Sequence, residues 1–205
     1  MRDRIAALLT KGLYRETVLG DVPRSHAYYA LRYGSTAKLA NYIRVKRDYL
    51  SKRTTVTGNP YTLRIEPVSA CNLRCPLCPT GTGETNRKKA VMSPETLEAI
   101  LDKCGEHVLF VHLWIWGEPL LNKNLAELAK ICHRRGIGTE VSSHMSVPLD
   151  EQRIDDLIRS GLDWLIISND AASPETYSQY RVGGNYDLVI RNIKALVARK
   201  KALGS

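Results

Sequence analysis

From residue 61 onward, short apolar segments alternate with amphipathic ones, and this alternation restricts the fold more than any other feature of the sequence. We predict four strands, at residues 62–68, 108–115, 137–143 and 164–168. The second segment, VLFVHLWI, is almost continuously apolar, which is typical of a parallel strand buried on both faces. A helical pattern follows each strand. This succession predicts an α/β fold with a parallel sheet and outer helices, either an open doubly wound sheet or part of a (β/α) barrel.

The predicted helices are bounded by ordinary capping residues. Ser93 followed by Pro94 predicts a helix start, and Gly105 and Gly136 predict helix ends. The other helical patterns cover residues 122–135, 150–160, 174–180 and 186 to about 201. Four strand–helix units therefore account for residues 61–205, which we predict to form the main domain.

Residues 1–60 are predicted to form a separate basic helical segment. They hold twelve of the 30 Lys and Arg residues but only four of the 21 Asp and Glu residues, in a chain with a net charge of +9. Ile5, Leu8, Leu9 and Leu13 fall on one helical face. The segment is either a helical cap with a solvated basic face, or a surface that contacts a membrane or an acidic partner.

Apolar stretches and cysteine content both bear on the location of the protein. Every long apolar stretch is interrupted by a charge well before the ~18 residues that a bilayer span needs. The first residues lack the apolar core and cleavage site of a signal peptide. Five cysteines are an odd number, which disfavours a disulfide framework and favours thiol or metal chemistry. We therefore expect a cytoplasmic protein, and we predict no specific binding of nucleic acid.

Three of the cysteines lie close together in the loop after the first strand. Cys71, Cys75 and Cys78 are separated by three and then two residues, so one loop can present three thiolates to a single inorganic centre. Such soft ligands favour zinc or iron–sulfur. A structural zinc site uses four protein ligands, whereas a [4Fe-4S] cluster held by three cysteines leaves one iron open. Cys104 and Cys132 fall on apolar helix faces, and we do not predict them as ligands.

Polar residues follow the other three strands. Ser143 ends the third predicted strand, and Glu118 and Asp170 come shortly after the second and the fourth. The carboxyl ends of parallel strands share one edge of a sheet. For Glu118 the alternative is a solvated loop carboxylate. The alternatives for Ser143 and Asp170 are a hydroxyl bonded to the backbone and a helix cap. His144 is predicted to be an ordinary loop residue, and Trp116 to pack in the core or line a pocket.

The cysteine triplet resembles the signature of the radical S-adenosylmethionine (radical SAM) superfamily, in which a hydrophobic or aromatic residue precedes the last cysteine. Leu77 holds that place. The resemblance implies a [4Fe-4S] cluster on Cys71, Cys75 and Cys78, with S-adenosylmethionine chelated to the open iron. It further implies that an electron from the reduced cluster cleaves the cofactor to a 5′-deoxyadenosyl radical, which abstracts a hydrogen from the substrate.

The resemblance continues to about residue 201. Gly117-Glu118-Pro119 is similar to the family's Gly-Gly-Glu-Pro element, with Trp116 in place of the first glycine. Ser142-Ser143-His144 resembles its Ser-Thr-Asn element, with His144 in place of Asn, and Ser168-Asn169-Asp170 resembles its Ser-x-Asp element. Residues 174–193 resemble the subgroup that carries an additional, C-terminal SPASM domain. The resemblance implies cofactor-binding roles for six residues: Leu77, Gly117, Glu118, Ser143, Asp170 and Arg181.

Parts of the family pattern have no counterpart in these 205 residues. The family core is a partial barrel of six βα units and we find four, without the cysteines of a SPASM domain. We expect either a fragment or a barrel that a partner completes. The resemblance implies a reducing protein such as flavodoxin or ferredoxin and an unidentified peptide or small-molecule substrate. Two alternatives remain: a zinc-binding or partner-binding module, and a truncated chain that binds the cluster without turnover.

Overall fold

Four parallel strands form one sheet whose spatial order follows the sequence. They are β1 (Thr62–Arg64), β2 (Phe110–His112), β3 (Gly138–Ser143) and β4 (Trp164–Ile167), and each pairs in parallel with the next. Right-handed crossovers that always advance in the same direction place their helices on one face of the sheet. A doubly wound sheet instead reverses its strand order. The computed structural model thus confirms the partial (β/α) barrel for the part of the chain that it describes, residues 23–205.

Within residues 23–205, eight helices surround the sheet or precede it. Their bounds are α1 (Pro23–Tyr33), α2 (Thr36–Leu50), α3 (Pro79–Thr82), α4 (Pro94–Cys104), α5 (Leu125–Arg134), α6 (Glu151–Arg159), α7 (Pro174–Tyr180) and α8 (Tyr186–Ala202). Two 3-10 turns span Gly105–His107 and Pro119–Leu121. Ser93, Asp150 and Ser173 cap α4, α6 and α7 by accepting backbone N–H bonds. The apolar face predicted at Ile5, Leu8, Leu9 and Leu13 lies outside the described residues.

The first two strands are shorter than the sequence predicts. β1 ends at Arg64 rather than at residue 68, and Pro67, which has no N–H to donate, lies in the predicted extension. β2 covers only residues 110–112, although single ladder bonds continue past both strands. Ile65 N donates to the His112 carbonyl at 2.8 Å, and Leu113 N donates to the Glu140 carbonyl at 2.8 Å. The chain therefore leaves the sheet early and has more loop available at the carboxyl edge.

The first helix covers the amino-terminal edge of the sheet. Tyr29 is fully buried and stacks on Phe110, the first residue of β2, with 4.5 Å between ring centroids. Tyr28 and Tyr33 donate hydrogen bonds to the buried Asp163 carboxylate, just before β4. These contacts fix one end of the sheet and leave the carboxyl edge as the accessible end. Within residues 23–205, we find no helix with the length and apolar character of a membrane span.

Candidate functional site

A cavity of about 240 Å³ lies at the carboxyl edge of the sheet, and most of the predicted site residues meet there. It collects side chains from the cysteine loop and from the residues that follow the other three strands. Of the nine residues predicted from the sequence, eight line the cavity: Cys71, Cys75, Cys78, Leu77, Gly117, Glu118, Ser143 and Arg181. Asp170, the ninth, is outside the lining and contacts Arg181 instead. Parallel topology thus brings together residues that are more than 100 positions apart in the sequence.

The cysteine loop is anchored on two sides. On one side, Glu118 N donates to the Ala70 carbonyl at 2.9 Å, which joins the loops after β1 and β2. On the other side, Arg74 N donates to the Val182 carbonyl at 2.8 Å, which joins the cysteine loop to the segment after α7. Gly81 packs against the backbone of Cys75 so closely that a Cβ would lie 2.6 Å from its nitrogen. The three sulfurs are therefore presented by a fixed loop.

The electrostatics of the thiols suit a cationic inorganic centre. Burial raises the pKa of the Cys71 thiol to about 11, and the negative charges of Glu118, Cys75 and Cys78 act in the same direction. Grouped anionic ligands are stabilised when a metal centre displaces their protons. Among residues 23–205, no three His, Cys, Asp or Glu side chains surround the position of a single metal ion. In a cluster held by three cysteines, each thiolate binds a different iron, so the donor set fits that group.

Glu118 is a buried carboxylate rather than a solvated one. Its side chain is 2% exposed and accepts hydrogen bonds from Leu120 N at 2.9 Å and from His144 N at 3.1 Å. Burial raises its pKa, while these N–H groups and the Ser143 hydroxyl oppose the shift. Ser143 also accepts a bond from Met145 N at 2.9 Å, as expected for a hydroxyl bonded to backbone. The site thus holds a buried carboxyl group, fixed by backbone N–H groups, beside the cysteine loop.

His144 is far more enclosed than its interpretation as an ordinary loop residue suggests. Its side chain is 5% exposed, and its Nε2 lies 3.1 Å from Glu118 Oε2 and 3.6 Å from Cys71 Sγ. Burial, with the positive charge of Arg181 adding to it, lowers the pKa of His144 to about 4. The ring is therefore neutral near pH 7, and its contact with Glu118 is a hydrogen bond rather than an ion pair.

Arg181 and Asp170 form an ion pair at the rim of the cavity. The Arg181 side chain is largely buried, and its Nη1 lies 3.9 Å from Cys75 Sγ. Asp170 adopts a backbone φ of 58°, which is uncommon for a non-glycine residue. The interpretation of Asp170 as a helix cap is wrong, because Ser173 caps α7. Asp170 instead fixes the position of the guanidinium beside the cysteines.

Glu66 is a residue of this region that sequence reasoning missed. Its Oε1 accepts bonds from Trp116 N and Gly117 N, both at 2.9 Å, and its carboxylate pairs with Arg87. Although burial opposes the shift, the Arg87 side chain and the two backbone N–H groups hold the pKa of Glu66 below its usual range. The sequence did contain a signal for it, because Glu66 is an acidic residue within the apolar pattern of the predicted strand at residues 62–68. Trp116 itself is half exposed and lines the cavity rather than the core.

Gly117 is held against the neighbouring loop, and replacing it with alanine should disturb the site. An added Cβ would lie 1.7 Å from the Val68 carbonyl oxygen, a backbone atom that cannot move alone. We expect Gly117→Ala to lower the free energy of unfolding by about 1–3 kcal/mol, the usual cost of overpacking. Chemical denaturation measures this change. Gly83→Asn is the control, since a Cβ added at Gly83 would meet no other atom within 4 Å, and asparagine tolerates the φ of 78°. Equal stability of the two variants would contradict the packing.

Comparison with known proteins identifies the family. The profile of the Radical SAM superfamily matches residues 65–202, about two thirds of the chain, and the match includes the cysteine triplet and every other predicted site residue. This chain belongs to the Radical SAM superfamily. The cofactors of radical SAM proteins are a [4Fe-4S] cluster and S-adenosylmethionine, which agrees with the donor set of the cavity.

Curated radical SAM relatives are similar over the same region. A GTP 3′,8-cyclase of Chlorobaculum tepidum is 30% identical over 138 residues, covering 66% of this chain and 41% of the relative. A PqqA peptide cyclase of Rhizobium meliloti is 30% identical over 125 residues, covering 61% of this chain and 32% of the relative. The aligned part of the chain thus spans less than half the length of either enzyme.

Solved structures of radical SAM proteins share the fold. Streptococcus suis SuiB bound to the precursor peptide SuiA matches 95% of this chain and 42% of SuiB, with a TM-score of 0.58 and 17% identity. The protein anSMEcpe with bound AdoMet matches 69% of this chain and 42% of that protein, with a TM-score of 0.53 and 22% identity. At these identities the likeness shows the fold of the partial barrel.

Proposed function

We propose that this chain carries the cluster-binding and S-adenosylmethionine-binding part of a radical SAM enzyme. The observation that carries the proposal is the single cavity that joins the three cysteines to Glu118 and Arg181. When bound, the reduced cluster supplies the electron that cleaves S-adenosylmethionine and so starts hydrogen abstraction from the substrate. Cys71, Cys75 and Cys78 are the proposed iron ligands.

The other residues of the cavity are proposed to bind and orient the cofactor. Glu118 presents buried carboxyl oxygens beside the cysteine loop and is the proposed partner of the methionyl ammonium group. Arg181, fixed by Asp170, offers a planar cation to the methionyl carboxylate. Gly117 and Ser143 contribute backbone and hydroxyl groups, and Leu77, which is 83% exposed, covers the cluster side of the cavity.

We further propose that the substrate is a peptide. Two of the similar proteins are named for peptides, the PqqA peptide cyclase and SuiB with its precursor peptide. The SuiB likeness covers 95% of this chain, whereas the family match covers residues 65–202. Other similar proteins are named GTP 3′,8-cyclases, so GTP is the competing candidate for the substrate. A rise in 5′-deoxyadenosine formation on addition of GTP, with none on addition of peptides, would contradict the peptide substrate.

The proposed setting is the cytoplasm, where thiols stay reduced and a low-potential protein such as flavodoxin or ferredoxin can deliver the electron.

Contact with an anionic membrane surface is proposed for α2. Ile43 and Leu50 on this helix are 66% and 77% exposed and lie beside the basic residues Arg44 and Arg47. Co-sedimentation with phosphatidylserine vesicles, and not with phosphatidylcholine vesicles, is the expected result. Equal recovery with both vesicles would contradict the contact.

The experiment that tests the proposed function is anaerobic reconstitution of the purified chain with iron and sulfide. We expect a brown protein with about four iron and four sulfide per chain, as a [4Fe-4S] cluster requires. A colourless protein that instead takes up zinc would support the zinc-binding alternative. Cluster uptake without cleavage of S-adenosylmethionine would support the truncated chain without turnover.

A further inference from the structure

The imidazole of His144 connects two parts of the site that the sequence does not relate. Its Nε2 lies 3.1 Å from Glu118 Oε2, and the same nitrogen lies 3.6 Å from Cys71 Sγ, within hydrogen-bond range of sulfur. Glu118 is the proposed partner of the cofactor ammonium, and Cys71 is a proposed iron ligand. One nitrogen atom therefore touches both the organic and the inorganic side of the site.

The hydrogen bonds of the ring determine which of its nitrogens carries the proton. Ser146 N donates to His144 Nδ1 at 3.0 Å, so Nδ1 carries a lone pair. Because Nδ1 accepts this bond, the N–H group of the ring must be on Nε2. Nε2 is thus a donor, and both groups in front of it, a carboxylate oxygen and a sulfur, are acceptors. This is a three-centre arrangement with a single hydrogen.

The loop that carries His144 is fixed from several directions. Met145 is fully buried and has a φ of 59°, a left-handed conformation that a non-glycine residue adopts only where its surroundings impose it. The Asn192 amide donates to the carbonyls of Met145 and Val147, both at 2.8 Å, and the Asn72 amide donates to the Ser146 carbonyl at 2.9 Å. Because the backbone on both sides is held, the ring keeps its direction toward Cys71 and Glu118.

We propose that His144 is a positioning residue whose Nε2–H group raises the reduction potential of the cluster by a hydrogen bond to the Cys71 sulfur, while it orients Glu118. Hydrogen bonds to cluster sulfurs stabilise the additional negative charge of the reduced state, and so make reduction easier. The inference rests on the proposed function, because it requires that Cys71 is an iron ligand.

The direction of the effect follows from the other contacts of Cys71. Among the contacts of the described residues, its sulfur otherwise receives only the 3.4 Å bond from Leu73 N. Removing the histidine donor therefore removes one of two N–H groups that face this sulfur. Arg181 lies beside a different sulfur, that of Cys75, and does not replace it.

The test compares the wild-type chain with His144→Phe and His144→Gln after anaerobic reconstitution. Phenylalanine keeps a ring of similar size without a donor, and glutamine keeps an N–H group at the end of a chain of similar reach. The midpoint potential of the cluster, followed by electron paramagnetic resonance without S-adenosylmethionine, is expected to be more negative in His144→Phe and close to wild type in His144→Gln. His133→Phe, on the exposed face of α5, is the matched control and should leave the potential unchanged.

A merely structural role for His144 would lower stability without moving the potential, so equal midpoint potentials in the wild type and His144→Phe overturn the inference. If His144→Phe does not fold, pulsed electron paramagnetic resonance on the wild type labelled with ¹⁵N-histidine tests the hydrogen bond instead. Weak ¹⁵N coupling to the reduced cluster, lost in His144→Gln, supports the hydrogen bond, and its absence in the wild type overturns it. A wild-type chain that takes up no cluster contradicts the proposed function and, with it, the inference.

Discussion

Replacing Cys75 with alanine is expected to abolish cluster binding. Cys75 is the most deeply buried of the three proposed ligands, at 5% exposure, and lies in a loop that is anchored on both sides. Removing a residue that only hydrogen-bonds to a metal ligand already costs roughly 10–100-fold in affinity, so loss of a direct ligand should cost more than about 100-fold. Iron and sulfide content after reconstitution measures the change.

Cys104→Ala is the matched control for this prediction. Cys104 is a half-buried free thiol. It lies on α4, where its sulfur donates to the Ile100 carbonyl at 3.1 Å. We expect this variant to take up the same iron and sulfide as the wild type. Equal cluster content in Cys75→Ala and Cys104→Ala, with both folded, would contradict the assignment of the triplet.

Replacing Glu118 with glutamine is expected to weaken the binding of S-adenosylmethionine to the reconstituted chain by at least about 30-fold. The change removes a buried charge while keeping the volume of the side chain. Losing one partner of a buried charge pair costs roughly 2–5 kcal/mol, and each 1.4 kcal/mol corresponds to about tenfold in affinity. Equilibrium dialysis with labelled S-adenosylmethionine measures the affinity.

If Glu118→Gln binds S-adenosylmethionine weakly, the cause is either loss of the carboxylate or loss of the cluster. The cluster content of the variant separates these two explanations. Iron and sulfide should equal the wild-type values, because the backbone bonds from Glu118 N to the Ala70 carbonyl and from Arg74 N to the Val182 carbonyl remain. Glu127→Gln, at an exposed position of α5, is the control and should bind the cofactor normally. Unchanged affinity in Glu118→Gln would show that this carboxylate holds the loop rather than the cofactor.

Local sequence patterns predicted the order of the elements and the placement of the cysteines. The alternation of strand and helix depends on residues that are near one another in the chain, so periodicity reveals it. Once the strands are parallel, the residues after each must share an edge, and this is why Cys71, Glu118 and Ser143 could be grouped in advance. The choice between a doubly wound sheet and a barrel needed the strand order, which no local pattern contains.

The contacts that complete the site could not be predicted in the same way. Glu66 accepts from Trp116 and Gly117 across a separation of about fifty residues, and the approach of those loops depends on where β1 and β2 end. The burial of His144 depends on the turn at Met145 and on the Asn192 amide from α8. These are tertiary effects, set by packing between elements rather than by the composition of any one of them.

The most direct test of the account is formation of 5′-deoxyadenosine by the reconstituted, reduced chain with S-adenosylmethionine. We predict product that depends on Cys71, Cys75 and Cys78 together and that falls in Glu118→Gln with the affinity for the cofactor. A chain that carries a full [4Fe-4S] cluster and binds S-adenosylmethionine, yet forms no 5′-deoxyadenosine under reducing conditions, would contradict the proposal that these four βα units contain the reactive site.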